Sequence, residues 1–171
     1  YGFRLPSLGD FLTNPTRTDP RVQGIDLAEA GIKIDQPKFS VYATAFYTGF
    51  DSQSFGETRF DPAINTFVSR TEFTSTTSYG VELEGVVRPV DWFDVSFTGT
   101  AQDPRFGDFK FNEVVSGVLV QRDFTDNMQV RAPKVSGRIT PGFNLLDGKL
   151  RLEGDVQYFG KRFSDAANTL I

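Results

Sequence analysis

Glu82 and Glu84 stand two residues apart in an alternating run, Tyr79–Arg88. On a strand that spacing puts both carboxylates on one face, roughly 6.5–7 Å apart. A carboxylate pair at such a separation can divide general-acid and general-base work. Any polar sheet face produces the same spacing with no chemistry attached, and nothing else in the chain completes a catalytic set. The 171 residues contain no His and no Cys. That removes the commonest general base, the usual metal ligand, every Ser-His or Cys-His arrangement, thiolate metal sites and disulfides. Asp123, Asp126 and Asn127 offer oxygen donors for calcium, but no Asp-x-Asp-x-Asp-Gly loop with its distal Glu accompanies them. Asp61-Pro62 and Asp103-Pro104-Arg105 read as turn chemistry. We therefore expect no enzyme activity, no metal and no cofactor.

The remaining candidates are cations among aromatics. Arg59, Arg70, Arg105 and Arg122 sit among Phe55, Phe60, Phe67, Phe73, Phe106, Phe109, Phe111 and Phe124, in two long polar-aromatic stretches, roughly 51–78 and 104–131. A guanidinium fork beside aromatic faces suits an anionic, partly apolar ligand. The plainer alternative for each Arg is loop self-packing plus contacts to headgroup phosphates. A formal charge of −4 and a pI of about 4.9 argue against nucleic acid as the ligand, which calls for a basic patch.

Between those stretches the chain alternates with period two, which sends successive side chains to opposite sheet faces. Tyr79, Val81, Leu83, Gly85 and Val87 oppose Gly80, Glu82, Glu84, Val86 and Arg88. In 94–103, Val95, Phe97, Gly99 and Ala101 oppose Asp94, Ser96, Thr98, Thr100 and Gln102. The same holds for 133–144 and 150–161, for 39–50 with Phe39, Val41, Ala43, Ala45 and Tyr47 on one side, and for 26–34 with Ala28, Ala30, Ile32 and Ile34. Most of these runs are about 10–12 residues, longer than the five or six of soluble strands and near the 9–11 of a tilted transmembrane strand. Pro133 is placed at a strand start and Pro141 near a rim or bulge, because proline donates nothing to a ladder.

Tight turns at 35–38, 90–93 and 145–149 join the runs, and Asp35, Asp91 and Asp147 recur every 56 residues (91 − 35 and 147 − 91). Short turns at one end and long excursions at the other are the plan of an outer-membrane β-barrel. On that plan the three aspartates mark the periplasmic rim, Trp92, Phe93 and Phe39 an inner aromatic girdle, and Tyr47, Phe50, Tyr79 and Tyr158 an outer one. The 18 Phe, 5 Tyr and one Trp fit girdles, and they fit the aromatic core of a soluble sandwich equally.

Four segments resemble TonB-dependent outer-membrane receptors. Tyr1-Gly2-Phe3-Arg4-Leu5-Pro6-Ser7-Leu8 is similar to that family's G-F-R-x-P-S-L segment. Glu29, Gly31 and Lys33 match its E-x-G-x-K strand, and Gly80, Glu82 and Glu84 its G-x-E-x-E strand. Phe159-Gly160-Lys161-Arg162-Phe163-Ser164-Asp165-Ala166-Ala167-Asn168 resembles a late-barrel Y-G-x-R-Y-x-D-x-x-N segment. The resemblance implies a 22-stranded barrel with a plug domain and a TonB-contacting box. Neither plug nor box is present in these residues, nor is an aromatic-ended last strand, and residue 1 is Tyr without a leader. About seven strands are expected here, and an odd number does not close a bacterial single-chain barrel. We thus expect a piece of a longer receptor.

The expectation is all-β: 1–171 as one antiparallel transmembrane β-barrel segment, without a catalytic role, from an active transporter of a scarce solute such as a ferric siderophore. The expected partners are outer-membrane lipid and lipopolysaccharide, the rest of the receptor with its plug, the inner-membrane TonB complex and the solute. The expected location is the outer membrane of a Gram-negative bacterium. A passive porin-like or adhesin barrel, and a soluble β-sheet binding module, are the alternatives.

Overall fold

The computed structural model describes residues 2–4, 22–61, 64–115 and 118–171. Strands account for most of them, and none of them is helical. In chain order the strands are β1 (Gly2–Arg4), β2 (Gln23–Gln36), β3 (Phe39–Asp61), β4 (Thr66–Val90), β5 (Phe93–Phe106), β6 (Lys110–Val115), β7 (Val118–Asp123), β8 (Val135–Leu145), β9 (Leu150–Glu153) and β10 (Val156–Phe159). One antiparallel sheet runs β1-β2-β3-β4-β5-β8-β10, with β9 also on β8, while β6 and β7 form a separate hairpin. The sheet is open: its first and last strands do not pair with each other.

β9 and β10 are one strand with a gap. Gly142 faces Glu153 and Ile139 faces Val156, three steps along each strand, so the register is unbroken. The gap lies opposite Pro141, which accepts the Gly154 N–H (3.0 Å) and has no N–H to return. Of the rim or bulge expected for Pro141, there is no bulge against β9–β10: it leaves a missing hydrogen bond within an intact register, two pairs in from the Phe93–Phe143 pair at the turn rim. Pro133 lies two residues before β8, at the expected strand start.

Three short turns close one edge of the sheet. Pro37-Lys38 joins β2 to β3, Asp91-Trp92 joins β4 to β5, and 146–149 joins β8 to β9. In the last, Leu146, Asp147 and Gly148 all take positive φ (53°, 55° and 81°), the left-handed region that a tight reversal uses. Neighbouring turns are stitched along this rim by Arg88 N–H to the Lys38 carbonyl (2.7 Å) and Asn144 N–H to the Trp92 carbonyl (2.8 Å).

At the opposite edge the expected long loops are largely hairpins. β3 and β4 stay paired from Phe39–Val87 to Asp61–Thr66, with one register shift between Phe50 and Gln53, where Ser52 has φ of 57°. In the second excursion β5 continues through Pro104 to Phe106, and β6–β7 pairs from Lys110–Asp123 to Val115–Val118. The β3–β4 hairpin beyond Phe50 mixes Phe, Arg, Glu, Ser and Thr in its sequence, and β6–β7 mixes Phe, Val and Leu with Lys, Asn, Glu, Gln, Arg and Asp, so no period-two apolar signal marks them as strands.

Candidate functional site

The register assembles the alternating residues into two continuous faces. Ile32 lies beside Ala43, Ala43 beside Leu83, Leu83 beside Gly99, Gly99 beside Gly137, and Gly137 beside Tyr158. The rows above and below repeat this: Ala30-Ala45-Val81-Ala101-Val135, and Ile34-Val41-Gly85-Phe97-Ile139-Val156. This apolar face spans six strand positions and is uncovered. Ile32 is 70 % exposed, Leu83 45 % and Val156 65 %.

Aromatic residues border it on both sides. At the turn rim Phe93 and Phe143 are cross-strand partners with ring centroids 4.9 Å apart, and Trp92 stacks on Phe143 at 6.4 Å. At the excursion side, Tyr47 pairs with Tyr79, whose hydroxyl donates to Asp103 Oδ2 (3.3 Å). Phe50, expected beside Tyr47 in that girdle, falls on the other face, since three residues apart is an odd number of alternations.

The opposite face is polar. Arg151 holds both Asp94 oxygens (2.8 and 3.1 Å), with its Nε on Glu153 (2.7 Å), and also donates to Asn144 (2.9 Å). Gly142 makes room for that bridge: a Cβ there would lie 2.5 Å from Arg151 Nη2. Arg138 pairs with Asp155, which also accepts from Gln157 (3.1 Å). Glu82 and Glu84 lie exposed on this face. They share rows with the other resemblance-bearing strand. Across β3, Glu29 aligns with Gly80, Gly31 with Glu82 and Lys33 with Glu84. The two motifs are thus one patch of the polar face, separated by two strand spacings, about 9.6 Å.

The buried apolar core lies beyond the excursion-side border. Phe106 and Phe109 are 3 % and 2 % exposed and pack with Phe55, Phe124 and Val130. Phe55 meets both Phe106 and Phe109 edge-on at 5.5 Å, and Phe109 meets Phe124 at 5.6 Å. The β3–β4 hairpin is thereby pinned to the segment after β5. Gly107 donates its N–H to the Ser75 carbonyl (2.8 Å), so close to Ser75 that a Cβ would strike the Ser75 hydroxyl.

Residues 163–170 close over this core. Asn168 accepts the Met128 N–H (2.7 Å) and donates to the Met128 carbonyl (3.0 Å), Asn127 donates to the Ala166 carbonyl (2.8 Å), and Ala166 joins the core. Asp165 organises the segment. Burial works against its charge, but the Thr169 hydroxyl and the Leu170 and Thr169 N–H groups outweigh it and hold the carboxyl below its ordinary pKa.

Of the four candidate arginines, Arg105 is tied into this end. Its Nε donates to Asp103 (2.9 Å) and its Nη1 to the Asp126 carbonyl (2.7 Å), while Lys134 takes the other Asp103 oxygen (2.9 Å). The arrangement staples the segment after β7 to β5. Arg122 lies on β7 opposite Phe111. Arg59 and Arg70 lie on the β3–β4 hairpin opposite Val68 and Glu57, and their side chains are outside the described part of the structure. By backbone position two lie on the β3–β4 hairpin, one on β7 and one at the excursion end of β5.

Asp123, Asp126 and Asn127 do turn work. Asp123 accepts the Thr125 N–H (3.0 Å), and bonds from the Thr125 hydroxyl and N–H lower its pKa. Among the described residues no group of three or more acidic side chains is placed to hold a metal. The Phe55–Phe106–Phe109–Phe124 packing is the loop self-packing weighed against a ligand for those aromatics. Sequence reading missed the Asp94–Arg151 bridge and the Asn168 clasp, of which Asn168 carried a signal as a position in the late-barrel resemblance. The sequence matches no protein-family model and no curated protein.

Proposed function

We propose that this chain is part of the wall of an outer-membrane β-barrel, and that the barrel is an active transporter of the TonB-dependent kind. The observation that carries the first half is the uncovered apolar face, continuous through six strand positions and backed by a polar face. In water a contiguous, uncovered apolar face is unusual for a monomer; against lipid it is the ordinary outer surface of a barrel. Ten residue steps separate Phe93 from Asp103 on β5, about 33 Å along the strand. At a tilt near 45° that is about 23 Å of height, close to the 25 Å apolar band of such barrels. The turn rim would then be periplasmic and the hairpins extracellular.

The second half rests on the motif resemblance. Its polar positions on β2 and β4 fall in shared rows of the polar face, where a lumen and its plug would lie. In this reading the segment supplies wall, lumen lining and extracellular hairpins, and the solute is a scarce one such as a ferric siderophore. The sheet's open edges would be closed by further strands, since unpaired backbone groups find no partners in lipid.

Cell fractionation tests the barrel: the native protein should sediment with outer membrane and require detergent for release. Recovery in the soluble fraction without detergent would overturn it and favour a soluble binding module. Uptake of a radiolabelled iron chelate tests the transporter. It should disappear in a deletion strain and collapse when the inner-membrane proton gradient is dissipated. Gradient-independent uptake would favour a passive porin-like barrel.

A further inference from the structure

The turn rim carries two cations that the wall does not use. Arg88 donates its N–H to the Lys38 carbonyl, which makes the two residues opposite partners across β3 and β4. Lys38 lies in the β2–β3 turn, one residue before β3, and Arg88 lies on β4, one residue past the Phe39–Val87 pair. Like charges directly opposite each other weaken an antiparallel pair. Yet among the described residues neither side chain has an ion pair or a hydrogen bond. Asp94 is near enough to Arg88 to feel its charge, but both its oxygens are held by Arg151. Asp91 sits in the turn itself and makes no ion pair with either cation. In front of the pair opens a cleft of about 630 Å³, flanked by Pro37, Pro89, Trp92 and Phe93, with the carboxylates of Asp91 and Asp94 also on its wall, the latter held by Arg151. That volume is in the range of small-molecule sites and well beyond what an inorganic anion fills.

We propose that Lys38 and Arg88 form an anion site in this cleft for a phosphorylated small molecule with a flat apolar body. The phosphate sits between the ammonium and the guanidinium fork, which matches phosphate oxygens in pairs. The body lies against Trp92 and the proline rings. The repulsion between the two cations is relieved when the phosphate arrives, so a pair that weakens the empty sheet strengthens the occupied one.

Trp92 lines the cleft and reports on it. The full-length protein in detergent micelles is titrated with phenyl phosphate and with inorganic phosphate, and the emission lost in Trp92→Phe isolates the Trp92 signal. Phenyl phosphate should give a saturable change, at least tenfold tighter than inorganic phosphate. Lys38→Met and Arg88→Met should each weaken it at least tenfold while melting at or above the wild-type temperature. Arg88→Lys should fall between wild type and Arg88→Met, and Lys149→Met, on a turn outside the cleft, should bind as wild type. Isothermal titration repeats the comparison without the fluorophore. Absence of saturation, equal affinity for the two phosphates, or Met variants that melt lower and bind unchanged would each overturn the proposal, the last by making the cations structural.

Discussion

The wall and the excursion end sort their apolar residues in opposite ways. On the wall, Ile32, Leu83, Ile139 and Val156 share one sheet face and stand uncovered. Along the chain from Gly99, Leu83's partner on β5, Phe106 and Phe109 are sealed by Phe55, Phe124 and Ala166. The wall is held by ladders, with backbone hydrogen bonds running strand to strand and polar bridges such as Asp94–Arg151 on one side. The excursion end has a small core and many side-chain-to-backbone contacts. The difference teaches that these two regions answer to different surroundings. A core forms where chain folds back on itself, and a flat face stays bare where something outside the chain is available to cover it.

The largest expected effect tests whether the excursion end folds on its own account. Phe109→Ala should cost about 3–5 kcal/mol of local stability, the usual loss for a buried Phe. Hydrogen exchange should accelerate at 104–110 and 124–131 while β2, β4 and β8 amides keep their protection. Equal loss in both regions would show one cooperative unit and erase the contrast. Next, Leu83→Arg should cost about 2–4 kcal/mol in a lipid bilayer if its row lies near the midplane. Glu82→Arg, one step along on the polar face, should stay within about 0.5 kcal/mol, as surface changes do. Unfolding titrations in vesicles measure both, and equal costs would mean that the faces do not meet different media.

A smaller effect probes the polar side. Gly142→Val should push Arg151 off Asp94 and cost about 1 kcal/mol, the upper end for an exposed ion pair. Combined with Arg151→Met it should cost less than the two apart, and additivity would remove the steric link between them. The smallest concerns pH. Asp165 has its folded pKa below its ordinary value of 3.8, so its contribution is present above that value and is lost as pH falls through the lower folded value. The Leu170 amide resonance should stay constant from pH 7 to 5 and titrate with a midpoint below 3.8. A midpoint above it would reverse the sign.

What the sequence made legible follows the same division. Period-two patterning marked β2, β5, β8 and the wall parts of β3 and β4, and turn residues placed all three reversals, because one face of each strand is apolar and the other polar. The pattern lapses beyond Phe50 and Pro104, where both faces meet polar surroundings or a local core, and hairpins there passed for loops. Arg105 was legible as a cation near aromatics. Its bond to Asp103 is local to β5, while its bond to the Asp126 carbonyl depends on the turn at 125–127 lying beside β5, which only the tertiary arrangement sets. Lys38 and Arg88 are visible as residues, but their opposition emerges only once the register between β3 and β4 is known.

The alternation of the two faces has a consequence for how the gene can change. Inserting or deleting one residue within β4 would turn Glu82 and Glu84 to the apolar side and Leu83 to the polar side for the rest of the strand. Two residues would restore the faces and merely shift the rows. Length variation in the wall should therefore come in even steps, while the β6–β7 hairpin, outside the main sheet, is free to lengthen by any number.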